Sequence, residues 1–72
     1  MTVTYFPKTG KVLYNNHFVF NINTSTLDII NYGKRWEKLK KREKEAILST
    51  LKEKIIPAIN PKLLPESISV ST

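Results

Sequence analysis

The first third of the chain is patterned for strands and the middle for a helix. Residues 17–23 alternate, with Phe18, Phe20 and Ile22 pointing one way and His17, Val19, Asn21 and Asn23 the other. Two shorter β-branched and aromatic runs precede them, at residues 2–6 and 11–14. Pro7, Lys8, Thr9 and Gly10 separate those two runs, a turn composition. Asn15 and Asn16 separate the second from the third. Asparagine tolerates positive φ, so a two-residue type I′ hairpin turn is expected there. The pattern predicts a three-stranded antiparallel β-meander over residues 2–23.

Loop lengths then set the pairing. A turn at Asn15 and Asn16 places Tyr14 opposite His17, Leu13 opposite Phe18 and Val12 opposite Val19. A loop at residues 7–10 places Phe6 opposite Lys11 and Tyr5 opposite Val12. Directly opposed residues share a face. One face is therefore expected to carry Phe6, Leu13, Phe18, Phe20 and Ile22. The other carries Val3, Tyr5, Val12, Tyr14, His17 and Val19. Both faces are apolar, and one helix covers only one of them. A homodimer or a tight partner complex through the Val3, Tyr5, Val12 and Val19 side follows as an expectation.

Thr24, Ser25 and Thr26 are helix N-cap residue types, and Asp28 would sit in the first turn at the positive end of the dipole. Ile29, Tyr32, Trp36 and Leu39 recur at helical spacing, as do Ile47, Leu51 and Ile55 with Leu48 beside them. A helix over 26–56 is expected. Between the two apolar sets, residues 40–45 are all charged, and on a continuous helix Lys40, Glu43 and Lys44 would share the apolar side. Either the helix projects past the sheet there or the chain bends into a second helix. Residues 34–56 contain no glycine or proline, which favours one long helix. Gly33 is a second kink position. Pro57 ends the helix, because it lacks an N–H and clashes with the preceding turn. Residues 57–72 form a Pro-rich tail with Pro57, Pro61 and Pro65. Ile56, Ile59, Leu63 and Leu64 are placed to dock on the body, and residues 67–72 are an edge strand or frayed. The expected class is α+β in a single small domain over 1–72.

A chain of 72 residues without cysteine has no disulfide or zinc–thiolate to stiffen it. No apolar run reaches the ~20 residues that span a bilayer, and the N-terminus lacks a signal-peptide layout, so the expected location is cytoplasmic. The frequent Lys, Asn and Ile point to an AT-rich genome, of a virus or a low-GC bacterium. Charge changes the picture most. Between Lys34 and Lys54 lie nine basic and four acidic residues, so this segment holds +5 of the chain's +6. Such a concentration favours an anionic partner. Lys34, Lys38 and Arg42 lie four apart, flanked by Arg35 and Lys41, as a stripe facing away from Trp36. Spaced cations suit phosphates or carboxylates, although the same residues also make an ordinary solvated helix face. An interrupted apolar face argues against a helix lying on lipid.

The sheet face with Tyr5, Tyr14 and His17 is a second candidate, since strand aromatics can stack on bases or pack on a protein. Trp36 is read as the core anchor. His17 has no nucleophile motif or carboxylate pair with it, and the acids do not cluster at metal-ligand spacing. No catalytic residue, metal site or cofactor is expected, and the chain is read as a non-enzyme. The expected function is a regulator or inhibitor docking on an acidic protein surface through Lys34, Arg35, Lys38, Lys41, Arg42, Tyr5 and Tyr14. The alternative is a largely non-specific nucleic-acid binder, since only Arg35 and Arg42 offer bidentate guanine contacts.

Overall fold

A computed structural model of the chain describes residues 1–59 and 62–71, so Asn60, Pro61 and Thr72 of the expected tail lie outside the described residues. It is a small α+β fold with an antiparallel sheet and one long helical run. The strands are β1 (Thr2–Phe6), β2 (Lys11–Tyr14), β3 (His17–Ile22), β4 (Ile29–Tyr32) and β5 (Ile68–Ser71). Their order across the sheet is β4-β3-β2-β1-β5, five strands where three were expected.

The two expected hairpin turns form as their residue types dictate. Asn15 and Asn16 take φ of 51° and 67°, and the Asn15 Oδ1 accepts the Thr2 N–H at 3.0 Å. Gly10 takes φ of 81° and closes the first turn by donating to the Phe6 carbonyl at 2.7 Å. Its Cα faces the Ile22 carbonyl so closely that an added Cβ would lie 2.1 Å from that oxygen.

The expected faces are corrected by one residue. Val12 pairs with Phe20, while Leu13 pairs with Phe18, so Val19 is an extra, bulged residue in β3. A bulge shifts everything beyond it to the opposite face. Phe20 and Ile22 thereby join Val3, Tyr5, Val12 and Tyr14, and both Val19 and Phe20 are fully buried. The apolar side chains thus gather on one face. Leu13 and Phe6 remain half-buried on the other face, beside the exposed Phe18 and a Thr4–Ser69 hydroxyl contact of 3.0 Å. The face expected to be left over for a dimer, that of Val3, Tyr5, Val12 and Val19, is the buried core.

The expected helix over 26–56 is also corrected. Residues 24–27 form a loop instead of a helix start. The Asn23 Oδ1 accepts the Ser25 and Thr26 N–H groups at 2.8 and 3.2 Å, and the Asn23 carbonyl accepts Leu27 N–H at 2.7 Å. This is an Asx turn, and it competes with helix initiation. Ile29, Ile30, Asn31 and Tyr32, all weak helix formers, then pair with β3 as β4. Helix begins only at α1 (Lys34–Lys38), and it breaks at Leu39 and Lys40, whose ψ values are 148° and 156°.

The long run follows: α2 (Lys41–Thr50), a π-helical turn (Leu51–Ile55) and a 3₁₀ turn (Ile56–Ala58). The π turn ends two residues before Pro57, whose ring cannot fit under an ordinary α-helical turn. The helical run continues through Pro57 to Ala58, two residues past the expected last helical residue, Ile56. The Glu43 Oε1 caps α2 by accepting the Lys40 N–H at 3.3 Å. Lysine has no acceptor to return that bond, so this is half of a capping box. Ile47, Leu51 and Ile55 from this run close the core over the sheet, each worth about 1.5–3 kcal/mol. Residues 68–71 take the edge-strand alternative, with β5 pairing antiparallel to β1.

Candidate docking surface

The expected cations are exposed, but not on one helix. Lys34, Arg35 and Lys38 are on α1; Lys41 and Arg42 are on α2. The extended residues Leu39 and Lys40 lie between them, so the stripe of Lys34, Lys38 and Arg42 at uniform four-residue spacing does not form. Two physical effects favour the break. A continuous helix would place like charges at i and i+4 along this segment, each pair costing a few tenths of a kcal/mol. It would also turn Glu43 and Lys44 into the apolar stripe. In the bent chain both are half-buried against aromatic groups instead. The Lys44 Nζ lies 5.5 Å from the Trp36 ring centroid, a cation–π distance. Glu43 faces the Tyr14 hydroxyl.

Tyr5 and Tyr14, the expected partner-contacting aromatics, are buried in the core and are not on the surface. The Tyr14 hydroxyl donates to the Met1 Sδ. Burial raises the Tyr14 pKa above its ordinary value, and the charge of Glu43 and a hydrogen bond with it add to the rise. Burial alone raises that of Tyr5. His17 stands exposed at the β2–β3 turn. Among the described residues no group of three His, Asp or Glu side chains comes together to hold a metal ion, and no helix is long and apolar enough to cross a membrane.

Tyr32, expected on a buried helix stripe, is an exposed aromatic at this side of the molecule. It is 56% exposed at the end of β4. Its ring lies 5.6 Å from that of Trp36, which is half-buried and stands edge-on to Phe20 at 5.1 Å. Tyr32, Trp36 and Lys44 thus form one continuous patch where β4 runs into the cationic segment. Ile30, two residues before Tyr32 on β4, is 52% exposed.

An open groove of about 260 Å³ runs between the start of β4 and the long helical run, lined by Ile22, Leu27, Ile29, Leu48, Leu51, Lys52 and Ile56. A second, wider groove of about 430 Å³ lies beyond Leu27, with Tyr5, Pro7, Ile59 and Leu64 as its apolar walls and Lys8 and Thr24 as polar ones. Leu27 is the ridge between them. It is exposed and held at φ of 65°, a region that leucine rarely adopts. Ile30, Leu48 and Leu27 were not expected as surface residues. For Leu27 and Ile30 the signal was local, the polar residues 23–26 ahead of Ile29 and Ile30; Leu48 carried none. No protein-family model, curated protein sequence or solved structure matches this chain.

Proposed function

We propose that this protein is a non-enzymatic binding module, a regulator or inhibitor, that docks on an acidic protein surface through residues 34–44. One observation supports this above the others. Exposed cations on α1 and α2 lie within a few residues, along the chain, of exposed apolar side chains at Ile30, Tyr32 and Leu48. Protein interfaces combine an apolar, aromatic centre with a charged rim. Phosphate backbones call for the cations and leave the apolar patch without a role. Lys34, Arg35, Lys38, Lys41 and Arg42 form the rim, and Tyr32 takes the place that Tyr5 and Tyr14 were expected to fill.

The test is affinity capture from host lysate with and without nuclease, at low and high salt, using the parent chain and the Lys34→Glu, Lys38→Glu, Arg42→Glu triple variant. A nuclease-resistant, salt-sensitive protein partner that the triple variant loses is the expected result. The three positions are exposed, so each change should alter stability by no more than about 0.5 kcal/mol. Capture that disappears with nuclease assigns the surface to nucleic acid instead. Normal capture by the triple variant removes residues 34–44 from the interface.

A further inference from the structure

We propose that the groove between β4 and the long helical run receives an extended acidic segment of the partner, laid as a sixth strand along the β4 edge. This rests on the reading that the partner is an acidic protein, and it names the segment recognised.

The sheet has two edge strands, and they differ. β5 places Ile68 and Val70 against the core and shows Ser69 and Ser71 outward. β4 exposes Ile30 and Tyr32 and stands beside the apolar groove. An outer strand leaves backbone donors and acceptors unpaired along one side, which is the template for strand addition. Ile30 is itself a bulged residue, since Asn21 pairs with Asn31 and Ile22 with Ile29. A bulge on an edge strand discourages indiscriminate pairing. An added strand at β4 therefore depends on what its side chains meet in the groove.

The helix opposite supplies that selection. Lys44, Leu48, Lys52 and Ile56 are four residues apart. Leu48, Lys52 and Ile56 line the groove, and Lys44, one turn before Leu48, lies over the Trp36 ring. From Lys44 to Leu48, within α2, one such step rises about 6 Å along the axis; the π turn at Leu51–Ile55 sets Lys52 and Ile56 closer together. Side chains on one face of an extended strand recur about every 6.6 Å. A strand whose inward positions alternate acid, apolar, acid, apolar therefore matches the row in chemistry, and its repeat is close to the step from Lys44 to Leu48. The acids meet Lys44 and Lys52; the apolar side chains meet Leu48 and Ile56. Leu27 adds a second line of support. Non-glycine residues held at positive φ are strained and gather at ligand-gripping sites. Here such a residue forms the exposed rim of the groove.

Two synthetic peptides test this. One carries Glu, Leu, Glu, Leu at alternate positions with Thr between them. The other has the same composition scrambled so that alternation is lost. Binding is read by the fluorescence of Trp36, the sole tryptophan, and by anisotropy of labelled peptide. The patterned peptide should bind about tenfold or more tighter, the scale of one buried apolar anchor. Leu48→Asp should erase that preference. Leu48 is 39% exposed, so the variant keeps its fold, which the near-ultraviolet spectrum of Trp36 checks. Lys52→Glu should weaken the patterned peptide and be rescued when Lys replaces the peptide's central Glu. Equal binding of both peptides, lost only in the Lys34, Lys38, Arg42 triple variant, overturns the groove and leaves the acidic-partner reading standing. Failure of both peptides to bind also overturns it, and capture from lysate then decides the broader reading on its own.

Discussion

Gly10 is the residue on which the strand register turns. Its φ of 81° suits glycine, and an added Cβ would meet the Ile22 carbonyl oxygen at 2.1 Å. The backbone there cannot retreat without breaking the bond from Ile22 N–H to the Gly10 carbonyl, 2.7 Å long. Gly10→Ala should cost about 2–4 kcal/mol in urea unfolding, from backbone strain and overpacking together. Gly33→Ala is the contrast. Its φ is an ordinary −84°, and its added Cβ would meet the Phe18 ring at 2.9 Å. That ring is exposed and can swing aside, so a loss below about 1 kcal/mol is expected. Equal losses at the two glycines would contradict this account. The buried tyrosines set a pH limit. Tyr5 and Tyr14 both have pKa values raised above the ordinary 10.0. The unfolded chain therefore releases these protons first, and their contribution is full below that value and lost as pH rises through the folded values. Urea midpoints should fall above about pH 10, and less steeply in Tyr5→Phe and Tyr14→Phe. An unchanged slope in both variants would show that other groups govern alkaline unfolding.

At the scale of elements, what was legible depended on whether a residue type forces its conformation. The first two hairpins were legible because Pro7, Gly10, Asn15 and Asn16 each restrict the backbone in a known way. β4 was not, because Ile29, Tyr32, Trp36 and Leu39 fall at helical spacing by coincidence across a strand, a glycine and a short helix. The counter-signal was present in Asn23, whose side chain closes an Asx turn, but asparagine, serine and threonine open helices as readily as loops. Neither bulge carries a sequence mark. The one at Val19 alone moved Phe20 and Ile22 to the other face, and with them the expected surface role of Tyr5 and Tyr14. The cations of residues 34–44 stayed on the surface through all these changes, because lysine and arginine are exposed on almost any backbone path. Their alignment did not survive, because it depended on an unbroken helix.

At the scale of the molecule, the sheet holds together two ends of the chain. β5 pairs with β1 through Thr2 opposite Ser71, Val3 opposite Val70, Thr4 opposite Ser69 and Tyr5 opposite Ile68. β1 thereby becomes an inner strand, and Val3 and Tyr5 keep their backbone partners on both sides. Ile68 and Val70 also pack against the core that Ile55 closes from the helix. A core in a chain this small supplies only about 3–5 kcal/mol of net stability. Several backbone hydrogen bonds at about 1 kcal/mol each, with two half-buried apolar side chains, make up much of that sum. Ending the chain after Ser67 should therefore leave little folded protein at room temperature, although residues 1–67 retain every element of the candidate docking surface. What remains should self-associate, because β1 becomes an exposed, five-residue template rich in β-formers. Circular dichroism with sedimentation checks both expectations. A truncated chain that stays monomeric with an unchanged urea midpoint would mean that β5 lies outside the cooperative unit. Restoration of the fold by a separate peptide spanning residues 66–72 would instead show that the β1 edge, and not chain length, is what the last strand stabilises.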